Sequence, residues 1–220
     1  MSDCPGRPGH DPATTSRRPP EAELPVSAAC ERNREPILEV LREVFTAPGD
    51  ILEIGSGTGQ HAVHFSGHLP HLTWHACDLA DYHPGIRAWM DHAGPANLKG
   101  PYLLDVTVEP WPLSQADGVF SANTAHIMHM PAVAAMFAGV GRRLAEGGHF
   151  CLYGPFSVNG EHRSDSNRRF DRQLRDRDPG MGIRDRSELE ALAAEHGLVL
   201  AEVHHLPANN DLLVWQRVDS

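Results

Sequence analysis

Leu52-Glu53-Ile54-Gly55-Ser56-Gly57-Thr58-Gly59-Gln60 decides the fold of this 220-residue chain. An apolar run carrying an acid passes into glycines at alternating positions, ahead of a segment that reads as a helix. Glycine there lets the backbone turn sharply and approach a ligand with no Cβ in the way. The spacing separates two cofactors. A dinucleotide loop reads G-x-G-x-x-G and sets a pyrophosphate on the N-terminus of the next helix. Here the third glycine comes one residue early, and Glu53 precedes the first. A carboxylate beside the loop repels pyrophosphate and suits a sulfonium and an α-amino group. The residues Glu53, Gly55, Gly57 and Gly59 therefore favour S-adenosylmethionine (SAM) over a nicotinamide dinucleotide. An ordinary glycine-rich turn is the bland alternative.

Outward from the loop the chain alternates strand and helix. The pattern predicts a helix over 28–45, with Pro36 tolerated in a first turn, and a strand over 50–54. A helix over 59–67, a strand over 72–77 and a short helix over 86–92 follow. Strands are predicted over 102–106 and 118–122, then an Ala-rich helix over 132–144 stopped by Glu146-Gly147-Gly148, then a strand over 149–153. A polar insertion runs from 154 to about 183, followed by a helix over 187–196. Two final strands, 198–206 and 212–218, are joined by Pro207-Ala208-Asn209-Asn210, which predicts an antiparallel hairpin at the sheet edge. This order predicts an α/β, Rossmann-like class I methyltransferase fold: a mostly parallel seven-stranded sheet with an antiparallel C-terminal hairpin. Residues 1–26, rich in proline and poor in apolar groups, predict a disordered tail before one SAM-dependent domain over 27–220.

Two more acids stand in register with the loop. Asp78 closes the second strand, where a carboxylate can accept both ribose hydroxyls. Asp105 closes the third, where it can accept an adenine amine while the Val106 amide faces a ring nitrogen. Either acid alone is also an ordinary helix N-cap. Asn123, past the fourth strand, completes the expected cofactor set.

Composition narrows the partners. The formal charge of −10 disfavours nucleic acid, since phosphate binding needs a basic surface. No apolar run is long enough for a membrane span and none reads as a secretory signal. The cysteines Cys4, Cys30, Cys77 and Cys151 show no C-x-x-C pairing, which argues against a zinc site and suits a reducing, cytoplasmic setting. Lys99 is the only lysine and sits in a loop, so lysine Schiff-base chemistry is not expected. The oligomeric state is not encoded in any pattern found.

Taken together, several blocks resemble a specific family. They are Glu31-Arg32-Asn33-Arg34-Glu35-Pro36-Ile37, Gly57-Thr58-Gly59-Gln60-His61, and Leu104-Asp105-Val106-Thr107 with Trp111-Pro112. Further blocks are Tyr153-Gly154-Pro155-Phe156, Ser166-Asn167 with Phe170-Asp171, Arg177-Asp178-Pro179, Gly182-Ile183-Arg184-Asp185 and Pro207-Ala208-Asn209-Asn210. The chain resembles class I SAM-dependent methyltransferase-like proteins of unknown function, among them the vertebrate methyltransferase-like protein 26. The resemblance covers roughly residues 28 to 218 and implies the fold and SAM binding, with no settled acceptor. Met181, Asp211, Thr124-Ala125 and Met128-His129 depart from the pattern, all on the acceptor side.

Acceptor chemistry rests on fewer residues. His126, after the fourth strand, is a candidate general base, with a packed or capping histidine as the alternative. His126 with His129 lacks the acid or cysteine that would complete a metal set, so no metal is expected. Tyr153 either points a phenol into the pocket or packs in the core with a satisfied hydroxyl. The insertion carries Asp165/Arg169 and Asp171/Arg175 at i, i+4 spacing, which reads as a solvated helix with ion pairs. Alternatively Arg32, with one or two of Arg175, Arg177 and Arg184, holds an anionic acceptor. Arg32, Asn33, Arg184 and Asn209 are thus the acceptor-binding candidates. The absence of an Asn/Asp-Pro-Pro-aromatic signature and of a Pro-Cys nucleophile counts against base methylation. The expected activity is methyl transfer to a small polar or anionic acceptor at oxygen, nitrogen or sulfur. The alternative is a SAM binder that acts as a sensor or assembly subunit, or SAM chemistry other than methylation.

Overall fold

The structure, a computed structural model, describes residues 24–218. The tail predicted over 1–26 lies outside the described residues as far as residue 23. In chain order the elements are α1 (Ala28–Val44), β1 (Gly49–Ile54), α2 (Gln60–His68), β2 (Leu72–Asp78), α3 (His83–Ala93) and β3 (Leu98–Leu103). There follow β4 (Ala116–Ala122), α4 (Met130–Arg143), β5 (Leu144–Gly154), β6 (Phe156–Val158), β7 (Glu161–His162) and α5 (Asp165–Arg177). The chain continues as β8 (Arg184–Asp185), α6 (Arg186–Ala194), β9 (Leu198–Leu206) and β10 (Asn210–Arg217), with 3-10 turns at Ala80–Tyr82 and Pro207–Asn209.

Seven strands form one sheet in the order β3-β2-β1-β4-β5-β10-β9. The first five pair in parallel, and β10 runs antiparallel to both β5 and β9, so the expected fold is the one found. Strand alternation sends Leu52, Val119, Phe150, Leu152 and Trp215 to one face, against Val133, Met136, Phe137 and Val140 of α4 and Leu189 of α6. Ile51, Phe120, Tyr153, Leu212 and Val214 go to the other, against Ile37, Leu38 and Leu41 of α1, Phe65 of α2 and Ile86 of α3. Because β1 is flanked by β2 on one side and β4 on the other, the crossovers reverse direction beside it. A crevice opens there, outside the carboxyl ends of the strands.

Four local expectations change. The edge strand β3 lies at 98–103 rather than 102–106: bonded only to β2, it is largely exposed, and the apolar Leu104 and Val106 belong to the loop that tucks under the sheet. Gly147-Gly148 does not stop a helix. β5 starts directly after α4, and its pairing with β4 skips from Leu144 to His149. A Cβ on Gly148 would stand 2.6 Å from the Asp117 carbonyl, which is why glycine occupies the bulge. Pro36 sits well inside α1 rather than in its first turn, leaving the Arg32 carbonyl without its helical donor. The insertion folds into α5 and a second, three-stranded sheet, β7-β6-β8.

Candidate functional site

A cleft of about 1250 Å³ runs along the carboxyl ends of β1, β2, β4 and the loop after β3. Its glycine-loop end is built by backbone. The Gly55 and Ser56 amides both donate to the Cys77 carbonyl, at 2.9 and 3.0 Å, and the Gly59 amide donates to the Ser56 carbonyl at 2.9 Å. The Gly57 amide donates to Asp78 Oδ2 at 2.7 Å. Gly57 has φ +57 and nothing within 4 Å of its Cβ position, so a side chain there would fill open cleft. Gly59 serves a different purpose. It does not line the cleft; its Cβ would meet the Ile86 Cα at 2.9 Å, so it lets α3 close on the loop.

Glu53 is likewise not at the cleft surface. It shares the sheet face of Ile51, is 2% exposed, and its Oε2 accepts from Ser56 Oγ and Trp74 Nε1, both at 2.9 Å. Ser56 Oγ in turn accepts from the Cys77 amide at 3.1 Å. Burial pushes the Glu53 carboxyl up to about 7. Glu53 thus braces the loop from beneath, a correction to its reading as a direct contact.

Asp78, Asp105, Val106 and Asn123 do line the cleft. The Asp78 oxygens are each fixed by one amide, Oδ2 by Gly57 and Oδ1 by Leu79 at 2.7 Å, and burial raises its pKa. Asp105 caps a turn as well: Oδ1 accepts from the Thr107 amide and hydroxyl at 2.9 and 2.7 Å, which lowers its pKa. Asn123 holds φ +60, a conformation that non-glycine residues rarely adopt, while its amide donates to the Tyr153 carbonyl at 2.8 Å.

Sequence reading missed what covers this end. Pro25, Ser27, Ala29 and Cys30 line the cleft as a strap. The Pro25 carbonyl accepts from Trp89 Nε1 at 2.8 Å, and the Ser27 amide and Thr58 hydroxyl converge on Gln60 Oε1 at 2.6 and 3.0 Å. Pro25, read as tail, is thus packed against α3, and Ser27 is tied to the glycine loop's Gln60, while Val26 between them is exposed. The glutamine of the Gly57-Thr58-Gly59-Gln60-His61 block was the available signal.

The opposite end, where acceptor-binding residues were expected, is built by side chains from distant segments. Arg32, His126 and Asn209 line it as expected, joined by Ile127, Met128, Pro155, Ser166, Asn167, Phe170 and Asn210. His126 is 7% exposed and its ring meets Phe170 edge-on, centroids 5.3 Å apart. Burial, aided by Arg184, lowers its pKa to about 4, so the ring is neutral. The Asn209 carbonyl accepts from Asn167 Nδ2 at 3.0 Å, tying the turn before β10 to α5.

Three candidates lie elsewhere. Tyr153 packs in the core on the α1 face, its hydroxyl accepting from Asn210 Nδ2 at 2.9 Å; Asn210, not Tyr153, reaches the cleft. Asn33 is 7% exposed and orients His61: Nε2 donates to Asn33 Oδ1 at 2.7 Å, leaving Nδ1 toward Cys30 Sγ at 3.9 Å. Arg184 is 6% exposed and donates to the carbonyls of Ala125 (2.9 Å), Met128 and Gly180 (2.7 Å). A guanidinium is planar with donors on every edge, so it staples the loop after β4 to the segment before β8 instead of meeting a ligand. His129 pairs with Asp178 at 2.9 Å, away from His126. Among the described residues no group of three His, Cys, Asp or Glu is placed to hold a metal ion, and no helix is long and apolar enough to cross a membrane.

With that geometry, comparison gives a family and a fold. The chain belongs to the family described as protein of unknown function (DUF938), whose profile matches residues 24–217. An O-methyltransferase family protein from Burkholderia thailandensis superposes with a TM-score of 0.74 at 15% identity, over 87% of this chain and 58% of that one. The SAM-dependent methyltransferase SibL gives 0.71 at 16% identity, over 87% and 56%. The chain therefore spans little more than half the length of these two. YcgJ of Bacillus subtilis gives 0.68 at 16% identity, over 84% of this chain and all of that one. Such identities show the fold, which is that of SAM-dependent methyltransferases.

Proposed function

We propose that this DUF938 protein binds SAM at the acidic end of the cleft and moves its methyl group to a small polar or anionic acceptor, at oxygen, nitrogen or sulfur, bound beyond Asn123. The observation that carries this reading is the loop's own hydrogen bonding. The amides of Gly55, Ser56, Gly57 and Gly59 are all engaged within the protein, and the side chains beside them are Asp78, Asp81 and Asp105. A pyrophosphate finds too few free donors there and like charge around it; ribose hydroxyls, an amine and a sulfonium find acceptors. The residues fit the group, since the open Cβ position of Gly57 leaves room against the loop. Asp78 would hold the ribose, Asp105 and the Val106 amide the adenine, and Glu53 would keep the loop in shape.

SAM, when bound, supplies a methyl carbon already activated on a sulfonium. The chain's contribution is placement, because in-line displacement depends mostly on alignment. The Pro25–Cys30 strap, Met128 and Phe170 exclude water from the junction between the two halves. His126, neutral above about pH 4, would take the proton from an acceptor that still carries one. The neutral thiols of Cys30, Cys77 and Cys151, none in a disulfide, suit the proposed cytoplasmic setting. The sequence blocks support kinship with methyltransferase-like protein 26 as part of the same proposal.

The test is incubation of the protein with SAM and a low-mass metabolite extract. S-adenosylhomocysteine should accumulate with an extract component that gains one methyl group. SAM returned unchanged across fractionated extracts would favour a sensor; cofactor consumption without a methylated product would favour other SAM chemistry.

A further inference from the structure

The cleft is electrically lopsided. Its glycine-loop end holds Asp78, Asp81 and Asp105, and among the described residues that line the cleft the only Lys or Arg is Arg32. Three arginines from the surrounding segments are engaged elsewhere: Arg175 with Asp171 at 2.9 Å, Arg163 with Asp211, and Arg184 with backbone carbonyls. Arg32 has no acidic partner among the described residues, because its neighbours on α1 are occupied. Glu31 takes Arg34 and Gln60, and Glu35 lies between Arg34 and His64. Arg32 lines the cleft together with Asn210, whose Nδ2 donates to the Tyr153 hydroxyl at 2.9 Å. Beside it an apolar wall is formed by Ile127, Met128, Pro155 and Phe170, with Ile127 42% and Phe170 36% exposed, while the polar groups there, His126, Ser166, Asn167, Asn209 and Asn210, carry no acid.

Resting on the methyltransferase reading above, we propose that Arg32 is the cleft's carboxylate receptor and that the acceptor is a monocarboxylate with an apolar body. One guanidinium matches one carboxylate through a two-pronged contact. The apolar wall takes the remainder, gaining roughly 25 cal/mol for each Å² it covers. A phosphomonoester carries about 1.5 to 2 negative charges at neutral pH. It would meet a single cation and three acids, so phosphorylated metabolites and nucleotides are poor acceptors. The same chemistry exists on the amino-acid end of the cofactor, and the experiment separates the two sources.

Calorimetric titrations of wild type, Arg32→Lys and Arg32→Ala would use S-adenosylhomocysteine and 5′-methylthioadenosine, which lacks the amino-acid end. With and without the first of these bound, the proteins would then be titrated with benzoate, indole-3-acetate and octanoate. Each acid is compared with its amide, and benzoate also with phenyl phosphate. At least one acid should bind wild type tenfold or more tighter than its amide, and benzoate tighter than phenyl phosphate. Arg32→Ala should erase the acid–amide difference, Arg32→Lys should keep part of it, and neither should shift the adenosyl ligands by more than twofold. Circular dichroism melts check that Arg32, exposed on α1, does not hold the fold. The proposal is overturned if no acid outbinds its amide, or if Arg32→Ala leaves the difference intact. A tenfold loss of S-adenosylhomocysteine with 5′-methylthioadenosine unchanged would reassign Arg32 to the cofactor and overturn the acceptor claim. Absence of all adenosyl binding would sink the SAM reading, while the acid–amide arm, run without cofactor, would still report on Arg32.

Discussion

One cleft has two ends made by different means. At the glycine-loop end, the run from Ile54 to Thr58, Asp78 at the end of β2 and Asp105 in the loop after β3 form the surface, and most of the bonds that shape it involve backbone amides. At the acceptor end, Arg32, His126, Phe170, Asn209 and Asn210 arrive from four separate segments, and each is placed by what packs behind it. A surface made by backbone demands particular residue types at particular spacings. A surface made by side chains tolerates many, and so differs between proteins that share a fold. This contrast matches a chain whose fold is shared with methyltransferases at 14–18% identity.

The largest expected effect falls at the cofactor end. Asp78→Ala removes the acceptor for the Gly57 amide and, on the proposed SAM reading, for both ribose hydroxyls. Charge-assisted bonds contribute roughly 1.5–3 kcal/mol each, so S-adenosylhomocysteine affinity should drop by about a hundredfold or more in a titration. A drop below tenfold would break the idea that this acid organises the end.

Within the acceptor end, Arg184 and Arg32 should behave as opposites. Arg184→Ala strands three loop carbonyls and should cost about 3 kcal/mol of stability in urea unfolding. Arg32→Ala, with no partner to lose, should stay within about 0.5 kcal/mol. Equal losses would mean that Arg184 is not a staple.

Gly59→Ala sharpens the boundary between loop shape and ligand contact. It forces a Cβ to φ +90 and to 2.9 Å from the Ile86 backbone. Stability should fall by about 2 kcal/mol. Gly57→Ala, with open space ahead of it, should cost less stability and more adenosyl affinity.

The smallest effect is a pH slope. In the fold, burial holds His61 down to about 3 and His126 to about 4, against an ordinary 6.5. Between about 6.5 and 4.5 the unfolded chain therefore binds two more protons through them. Glu53, pushed up from 4.5 to about 7, keeps one extra proton in the fold over the same window. The net is one proton toward the unfolded chain, so these three groups should make stability fall by roughly 1.4 kcal/mol per unit as pH drops from about 6.5 toward 4.5. His126→Asn should reduce the measured slope by roughly 1.4 kcal/mol per unit in urea titrations followed by tryptophan fluorescence.

What could be read from the sequence follows the same division. Gly55, Gly57 and Asp78 were legible because a sharp turn and a strand-end acid leave a local signature, and Asp105 was found although it stands in the loop past β3 and not at its end. Tyr153 and Asn33 were not, because which sheet face or helix face a side chain takes at the mouth of a cleft depends on register: Tyr153 shares the face of Leu212 and Val214, toward α1. Arg184 misled for a related reason. Charge in a sequence marks a group that needs partners, and here backbone carbonyls exposed by the loop after β4 supply them. The edge strand β3 was misplaced because apolar Leu104 and Val106 serve the core from a loop. The strap at Pro25–Ser27 gave no periodic signal; it is held by a tryptophan and a glutamine distant in sequence.

The most direct test of the central claim is calorimetric titration of the wild-type protein with SAM, S-adenosylhomocysteine and NAD. The account predicts micromolar, one-to-one binding of the two adenosyl ligands and no heat from NAD. Binding of NAD, or no binding of either adenosyl ligand, would contradict it.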